Sequence, residues 1–156
     1  MATFALRTGQ IVHVDDEDFD MVSARAWHAR PATNRPHVCY VQGHVNRRTV
    51  YLHRFIMAPP PGLWVDHING DGLDNRRGNL RICTPGENSV NRANRNATGY
   101  RGVYAVNGRW VARVNLHGRT HRTRTFATPT EAAQAYDELA QRVHGEFARL
   151  NFPEAR

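Results

Sequence analysis

Apolar and polar positions change their period twice along the chain. Over residues 1–57 the apolar residues form short runs of strand character: Gln10–Val14, Val38–Gln42 and Arg48–Leu52, the last two flanking Gly43 to Asn46 as a hairpin. Asp15, Asp16, Glu17, Asp18 and Asp20 follow the first run. Negative charge favours a helix N-terminus, so this cluster predicts a short helix over Phe19–Ala26; a calcium loop would need a central Gly and a terminal Glu that the spacing lacks. The Ala58–Gly62 stretch, APPPG, then breaks the chain. Beyond it, Val65–Ile68 reads as a strand ending in a Gly/Asn/Asp loop, and Asn79–Cys83 as a second strand. Thr84, Pro85 and Glu87 carry the capping signature of a helix that bears Asn88 and Asn91. Ala93–Thr98 is polar and unpatterned, as a linker is.

The period changes again after residue 98. Tyr100–Val106, Gly108–Leu116 and His121–Phe126 are three strand candidates joined by the turn dipeptides Asn107-Gly108 and His117-Gly118. In the middle strand, alternation puts Trp110, Ala112, Val114 and Leu116 on one face and Arg109, Arg113 and Asn115 on the other. Thr128-Pro129-Thr130-Glu131 caps a helix from Glu131 to about His144, stopped by Gly145. Its stripe of Ala132, Tyr136, Leu139 and Val143 is fit to cover the apolar face of the sheet. Trp110, Tyr136, Phe126 and Phe152 read as core. The expected class is α+β in two small domains, 1–92 (a β-rich leader, 1–57, and a core, 58–92) and 99–156, joined by the linker 93–98.

Composition narrows the function classes. With 156 residues and no apolar run long enough for a membrane helix, the expectation is a cytoplasmic protein without a membrane partner. The N-terminus lacks the apolar core of a secretory signal. Two cysteines, Cys39 and Cys83, are too few for a disulfide framework or a four-cysteine zinc site. Both lie in apolar strand contexts with no base beside them, which argues against a nucleophilic enzyme. The formal net charge is +7, and all 21 basic residues are Arg. A GC-rich genome can explain missing Lys but not the net charge. Residues 1–30 are net negative, whereas 31–92 and 93–156 are each net positive, the distribution of a surface that meets nucleic acid.

Hydrolysis of a phosphodiester needs a base for water and neutralisation of the phosphate charge, which an imidazole beside an oxygen-ligated divalent ion supplies. Asp66 and His67 provide a carboxylate and an imidazole on adjacent residues. Neighbouring strand residues point to opposite faces, so a local distortion must bring both to one site. Asn79 has an amide able to orient the ring, and Asn88 an amide oxygen able to reach the metal. Oxygen ligands favour Mg²⁺, with Mn²⁺ as an alternative. Asn69, Asp71, Asp74 and Asn75 read as turn formers; Arg76, Arg77 and Arg81 read as phosphate contacts.

The stretch HRFIM…VDHINGDGLDNRRGNLRICTPGENSVN resembles HNH endonucleases of the phage and group-I-intron homing type, with their ββα-metal fold. The resemblance implies Asp66 and Asn88 as metal ligands, His67 as general base, and Asn79 as the residue that holds the base in place. It also matches His53 to a position of structural or accessory role, and the acidic stretch and Tyr51-Leu52-His53-Arg54 to the subfamily's leader. Products with a 5′-phosphate and a 3′-hydroxyl are implied. The zinc-knuckle cysteines of some HNH enzymes are absent, which leaves stability to leader and core packing.

YRGVYAVNGRWVARVN…RTFATPTEAAQAYDELAQRVHGEFARLNFP resembles the Apetala/ethylene-response-factor type of DNA-binding domain. That family packs a three-stranded antiparallel sheet on one helix and lays the open face in the DNA major groove. The resemblance marks Arg101, Arg109, Arg113, Asn115 and Arg122 as DNA-facing, and Arg124 is a further candidate DNA contact. Tyr104, Arg113 and Arg122 depart from the Arg, Glu and Trp common in plant members, so the plant target sequence does not carry over. The expected protein is a metal-dependent endonuclease acting on double-stranded DNA as a monomer, which nicks, or as a homodimer. Its competitors are a DNA-binding regulator with an inert HNH unit and an RNA-binding module.

Overall fold

The computed structural model describes residues 1–32, 35–90, 97–116 and 118–153. Asn91, most of the 93–98 linker and His117 lie outside the described residues. The chain is α+β, with small antiparallel sheets and few helices, and it divides into two compact units, Met1–Pro85 and Gly86–Arg156. No helix among the described residues is long and apolar enough to cross a membrane.

The first unit opens with a hairpin of β1 (Ala2–Ala5) and β2 (Ile11–Val14), in register Phe4 with Val12, and continues into α1 (Asp16–Ser23). The acidic cluster does start a helix, but three residues earlier than its pattern predicts. Asp16, Glu17 and Asp18 form the first turn, where negative charge meets the free N–H groups. A three-stranded sheet follows, β3 (Trp27–Ala32), β4 (Arg35–Val45) and β5 (Arg48–Tyr51), in that order. Trp27 pairs with Gly43, and its ring occupies the space that a side chain at 43 would fill. The β4–β5 turn falls at Asn46-Arg47, both at positive φ, so the hairpin expected from Gly43 to Asn46 closes later.

Leu52–Met57, read from sequence as the end of a strand and beyond, forms a short helix, α2, which ends at Ala58 in the left-handed conformation before the prolines. The ribbon β6 (Trp64–His67) and β7 (Leu80–Cys83) comes next. One core holds all of this together: Val12, Val14, Val22, Trp27, Val41, Leu52 and Ile56 pack with Val65 and Leu80 of the ribbon. The leader is therefore part of the same core as the β6–β7 ribbon. The next helix, α3 (Pro85–Val90), carries Asn88 and begins at the unit boundary.

The second unit is a three-stranded antiparallel sheet in the order β8 (Val103–Val106), β9 (Arg109–Leu116), β10 (Arg119–Phe126), covered by α4 (Pro129–His144). Thr128 and Glu131 cap α4 reciprocally, as the sequence predicts. Ala112 and Val114 pack with Tyr136 and Ala140, and Val103 with Ala132 and Ala133. Between Arg122 and Thr125 the β10 register shifts by one residue against β9. A one-residue shift exchanges the two faces of a strand, so this bulge turns Phe126 inward, opposite Trp110, and Thr125 outward.

The closing Leu-Asn-Phe is held by α4. The Asp137 carboxylate accepts the amides of Asn151 (2.7 Å) and Phe152 (2.9 Å), while the Asn151 side chain brackets Arg101, accepting its N–H at 2.6 Å and donating to its carbonyl at 3.2 Å. Gly102, beside it, has positive φ and lies under the Tyr136 ring, where a Cβ has no room. Replacing Asp137 with Ala removes two charge-assisted bonds from a buried group and is expected to lower stability by about 2 kcal/mol, read as an earlier thermal transition. An unchanged transition would show that the C-terminal clasp is decorative.

Candidate active site

Asp66 and His67 end β6, and both are buried, at 9% and 4% exposure. Across the ribbon, Asp66 faces Arg81 and His67 faces Leu80. The Arg81 guanidinium donates to the Asp66 carboxylate at 2.9 Å and 3.3 Å, so the acid is held on the ribbon by a charge-assisted pair.

The ring of His67 has its Nε2 3.3 Å from Oδ1 of Asn75, which is fully buried. The Asn75 amide nitrogen donates to the Gly72 carbonyl at 3.1 Å, which fixes the amide's orientation and leaves its oxygen toward the ring. An oxygen only accepts, so Nε2 carries the proton and Nδ1 is the basic nitrogen of the ring. Burial lowers the His67 pKa from its usual value, against the opposing pull of the Asn75 bond and of Asp66, Asp71 and Asp74. At neutral pH the ring is neutral and able to accept a proton.

Asn75 reads from sequence as a turn former, and no pattern signals its second task. An Asn in a loop of Gly, Asp and Asn looks alike whether it faces solvent or a ring. Asn79 acts on the same loop from another side. Its amide donates to the Asn69 side chain and the Asp74 carbonyl, its oxygen accepts from the Asn69 backbone N–H, and its own carbonyl accepts from Ile68 N–H. The loop carrying the base is thus cinched immediately after His67.

His53, on α2, is also buried. Its ring meets His67 edge to face at 4.8 Å between centroids and stacks on Tyr51 at 5.4 Å, with Tyr40 at about 6 Å from both histidines. Its Nδ1 has no hydrogen-bond partner among the described residues. Burial, then the neighbouring His67 and Arg54, push its pKa down to about 3. His53 is a neutral ring packed against the base.

The three arginines expected at phosphate each meet a carboxylate of their own unit. Arg76 forms a two-pronged pair with Asp74 at 2.7 Å and 2.7 Å, which holds the Asp74 carboxyl below its usual range. Arg77 grips buried Asp18 at 2.7 Å and 2.8 Å and gives its backbone N–H to Asp15. Arg81 holds Asp66. The Arg77 contacts and the exchange of backbone bonds between His13 and Leu73 and Asn75 fasten the loop to the leader.

A carboxylate and an amide oxygen are hard donors that suit a divalent ion such as Mg²⁺. Among the described residues no three of His, Cys, Asp and Glu converge as an ion cage. Mg²⁺ needs none, since it keeps water and takes one or two protein oxygens with phosphate.

In the second unit, Arg109, Arg113, Asn115, Arg122 and Arg124 lie exposed on β9 and β10, and Arg101 is partly buried. The Arg109 Nε donates to Thr125 (3.2 Å), Asn115 accepts from Thr120 (2.7 Å), and Arg124 lies over the Phe126 ring (5.3 Å).

A two-stranded ribbon that ends in a buried acid and an oriented, neutral imidazole fits the nuclease class that the sequence resembles. Residues 50–90 match the family model described as HNH endonuclease. The chain is 37% identical over 107 residues to an uncharacterized HNH endonuclease of Acanthamoeba polyphaga mimivirus, covering 64% of this chain and 56% of that protein. It is 33% identical over 109 residues to protein 3.8 of Escherichia phage T7, covering 67% of this chain and 89% of that one. The chain belongs to the HNH endonuclease family. It is also 47% identical over 57 residues, 35% of its length, to the dehydration-responsive element-binding protein 2A of Arabidopsis thaliana, of which it spans 17%. No solved structure matches the chain.

Proposed function

We propose that the protein is a metal-dependent endonuclease that hydrolyses phosphodiester bonds in double-stranded DNA, with sites chosen by the second unit. The observation that carries this reading is the buried, neutral His67, whose Nε2–H lies on the Asn75 oxygen so that Nδ1 is the basic nitrogen, with Asp66 next to it in the chain. HNH nucleases generally use divalent ions. Asp66 and Asn88 would hold Mg²⁺ or Mn²⁺, which when bound stabilises the phosphate charge and the leaving oxygen.

The chain's own residues do the rest. His67 takes a proton from the attacking water at Nδ1 while Nε2–H stays on Asn75. Arg81 holds the Asp66 carboxylate on the ribbon, Asn79 holds the loop, and His53 and Tyr40 pack against the base. The relatives from a phage and a large virus support a homing-type role in phage DNA, for which one active site per chain nicks and a dimer cuts both strands. The test is supercoiled plasmid incubated with the full chain in Mg²⁺ or EDTA. Conversion to open circle or linear form only with Mg²⁺ is the expected result. Absence of cutting beside salt-sensitive duplex binding would instead support a DNA-binding regulator with an inert nuclease unit.

A further inference from the structure

We infer that Arg81 couples ion uptake at Asp66 to DNA: it holds the carboxylate in the free protein and exchanges it for a backbone phosphate when DNA arrives. Ion and DNA then bind together. This rests on the proposal that Asp66 is a ligand of the divalent ion. Arg81 differs in two ways from the other arginine–carboxylate pairs beside the site. The first is geometry. Arg76 on Asp74 and Arg77 on Asp18 are forks that meet both carboxylate oxygens, at 2.7 Å or 2.8 Å. Arg81 brings its Nε and Nη2 to the same oxygen of Asp66, at 3.3 Å and 2.9 Å. Two parallel bonds to two oxygens are the strongest form of such a pair, so Asp66 is the most loosely gripped of these three acids.

The second difference is burial. The side chains of Arg81 and Asp66 are each 11% exposed, whereas those of Arg76 and Arg77 are 44% exposed. An exposed guanidinium that lets go of its acid is hydrated. A buried one is left with an uncompensated charge, which is strongly destabilising. An ion that took Asp66 from the free protein would leave Arg81 in that position. A phosphate removes the difficulty, since it carries negative charge and matches the donors of a guanidinium as a carboxylate does.

The charges nearby point the same way. Of the other acids whose charge acts on His67, Asp74 is held by Arg76, and Asp71 is exposed and accepts the Leu73 N–H. His53 and His67 are neutral rings, and Asn88 brings an amide without charge. Asp66 is therefore the one anionic donor in the set proposed for the ion, and Arg81 cancels it. Mg²⁺ is commonly held by one or two carboxylates together with substrate phosphates. With its carboxylate cancelled, this site relies on the phosphates for the charge. Such coupling is reciprocal: the factor by which DNA strengthens ion binding is the factor by which the ion strengthens DNA binding.

The experiment is titration of the full chain with Mn²⁺, read by loss of the free-ion signal in electron paramagnetic resonance. It is run with and without a short duplex whose own uptake is subtracted. A His67→Ala background keeps the duplex whole, and thermal unfolding checks every variant. In that background the duplex is expected to tighten Mn²⁺ binding by about 5–150-fold, and Mn²⁺ to tighten duplex binding, read by fluorescence anisotropy, by the same factor. Adding Arg81→Gln, or Arg81→Met should the first not fold, is expected to tighten Mn²⁺ binding without DNA and to remove most of the coupling. Arg81→Lys keeps a charge that phosphate can balance and should keep most of the coupling. Arg76→Gln removes the same charge from a pair outside the proposed ligands and should leave the coupling unchanged. No coupling in the background chain, or equal coupling after loss of Arg81, would overturn the inference. An equal loss in Arg76→Gln would also overturn it, by making the effect one of net charge. Mn²⁺ uptake that Asp66→Asn leaves unaltered, with and without duplex, would overturn the ligand reading beneath it.

Discussion

Replacing His67 with Ala is expected to lower Mg²⁺-dependent cleavage by about 10²–10⁴-fold, the usual contribution of a positioned general base. Asn75→Ala is expected to cost about 10–100-fold, since the residue acts through the ring it orients. In the parent the Asn75 oxygen holds the proton on Nε2; without it either tautomer is open, and the one with Nδ1 protonated has no base to offer water. Asn75→Asp keeps an acceptor at the same place and should retain more activity than Asn75→Ala. Initial nicking rates on plasmid, with thermal unfolding to confirm that each variant folds, decide the matter. A His67→Ala chain that cuts at the parental rate would remove the base from the mechanism, and equal rates for the two Asn75 variants would remove the tautomer argument.

The nuclease unit is expected to lose stability in acid, with His53 as a main cause. In the unfolded chain its imidazole titrates near 6.5, while in the folded protein burial, His67 and Arg54 hold it at about 3. Between those values the unfolded chain binds the extra proton, so unfolding gains as pH falls. Stability is full above about pH 6.5 and declines below it by about 1.4 kcal/mol per pH unit, reaching a loss of about 3 kcal/mol at pH 4. The lowered pKa of His67 adds to the same trend. His53→Phe, which keeps a flat ring against Tyr51 and His67, should flatten the dependence measured by urea unfolding across this range. The same slope in the variant would move the cause elsewhere.

The elements of the second unit were legible because its signals are local. Alternation in β9, the tight turn at Asn107-Gly108 and the Thr128–Glu131 cap each depend on residues a few positions apart. The bulge in β10 was not legible, since only the pairing with β9 shows that a residue is extra. The leader was read less well. Its helix start was displaced because Asp18, which looks like surface charge, is buried against Arg77 of the segment that joins β6 to β7. The helix α2 was missed because Leu52–Met57 spans fewer than two turns, too few for its period to separate from a strand's. In the site, the Asp66-His67 pair announced itself by chemistry and by family likeness. Asn75 did not, because its partner is set by the closure of the loop.

The fastening of the His67 loop to residues near the N-terminus bears on how this protein can be taken apart and reused. The family-model boundaries, 50–90, enclose the base and the acid but exclude His13, Asp15 and Asp18, which hold the loop from outside. A cassette excised at the motif's edges and grafted onto another DNA reader would carry the chemistry without its clamp. The smallest transferable piece is the leader and motif together. Exchange of parts among such enzymes should therefore leave seams after the motif rather than before it.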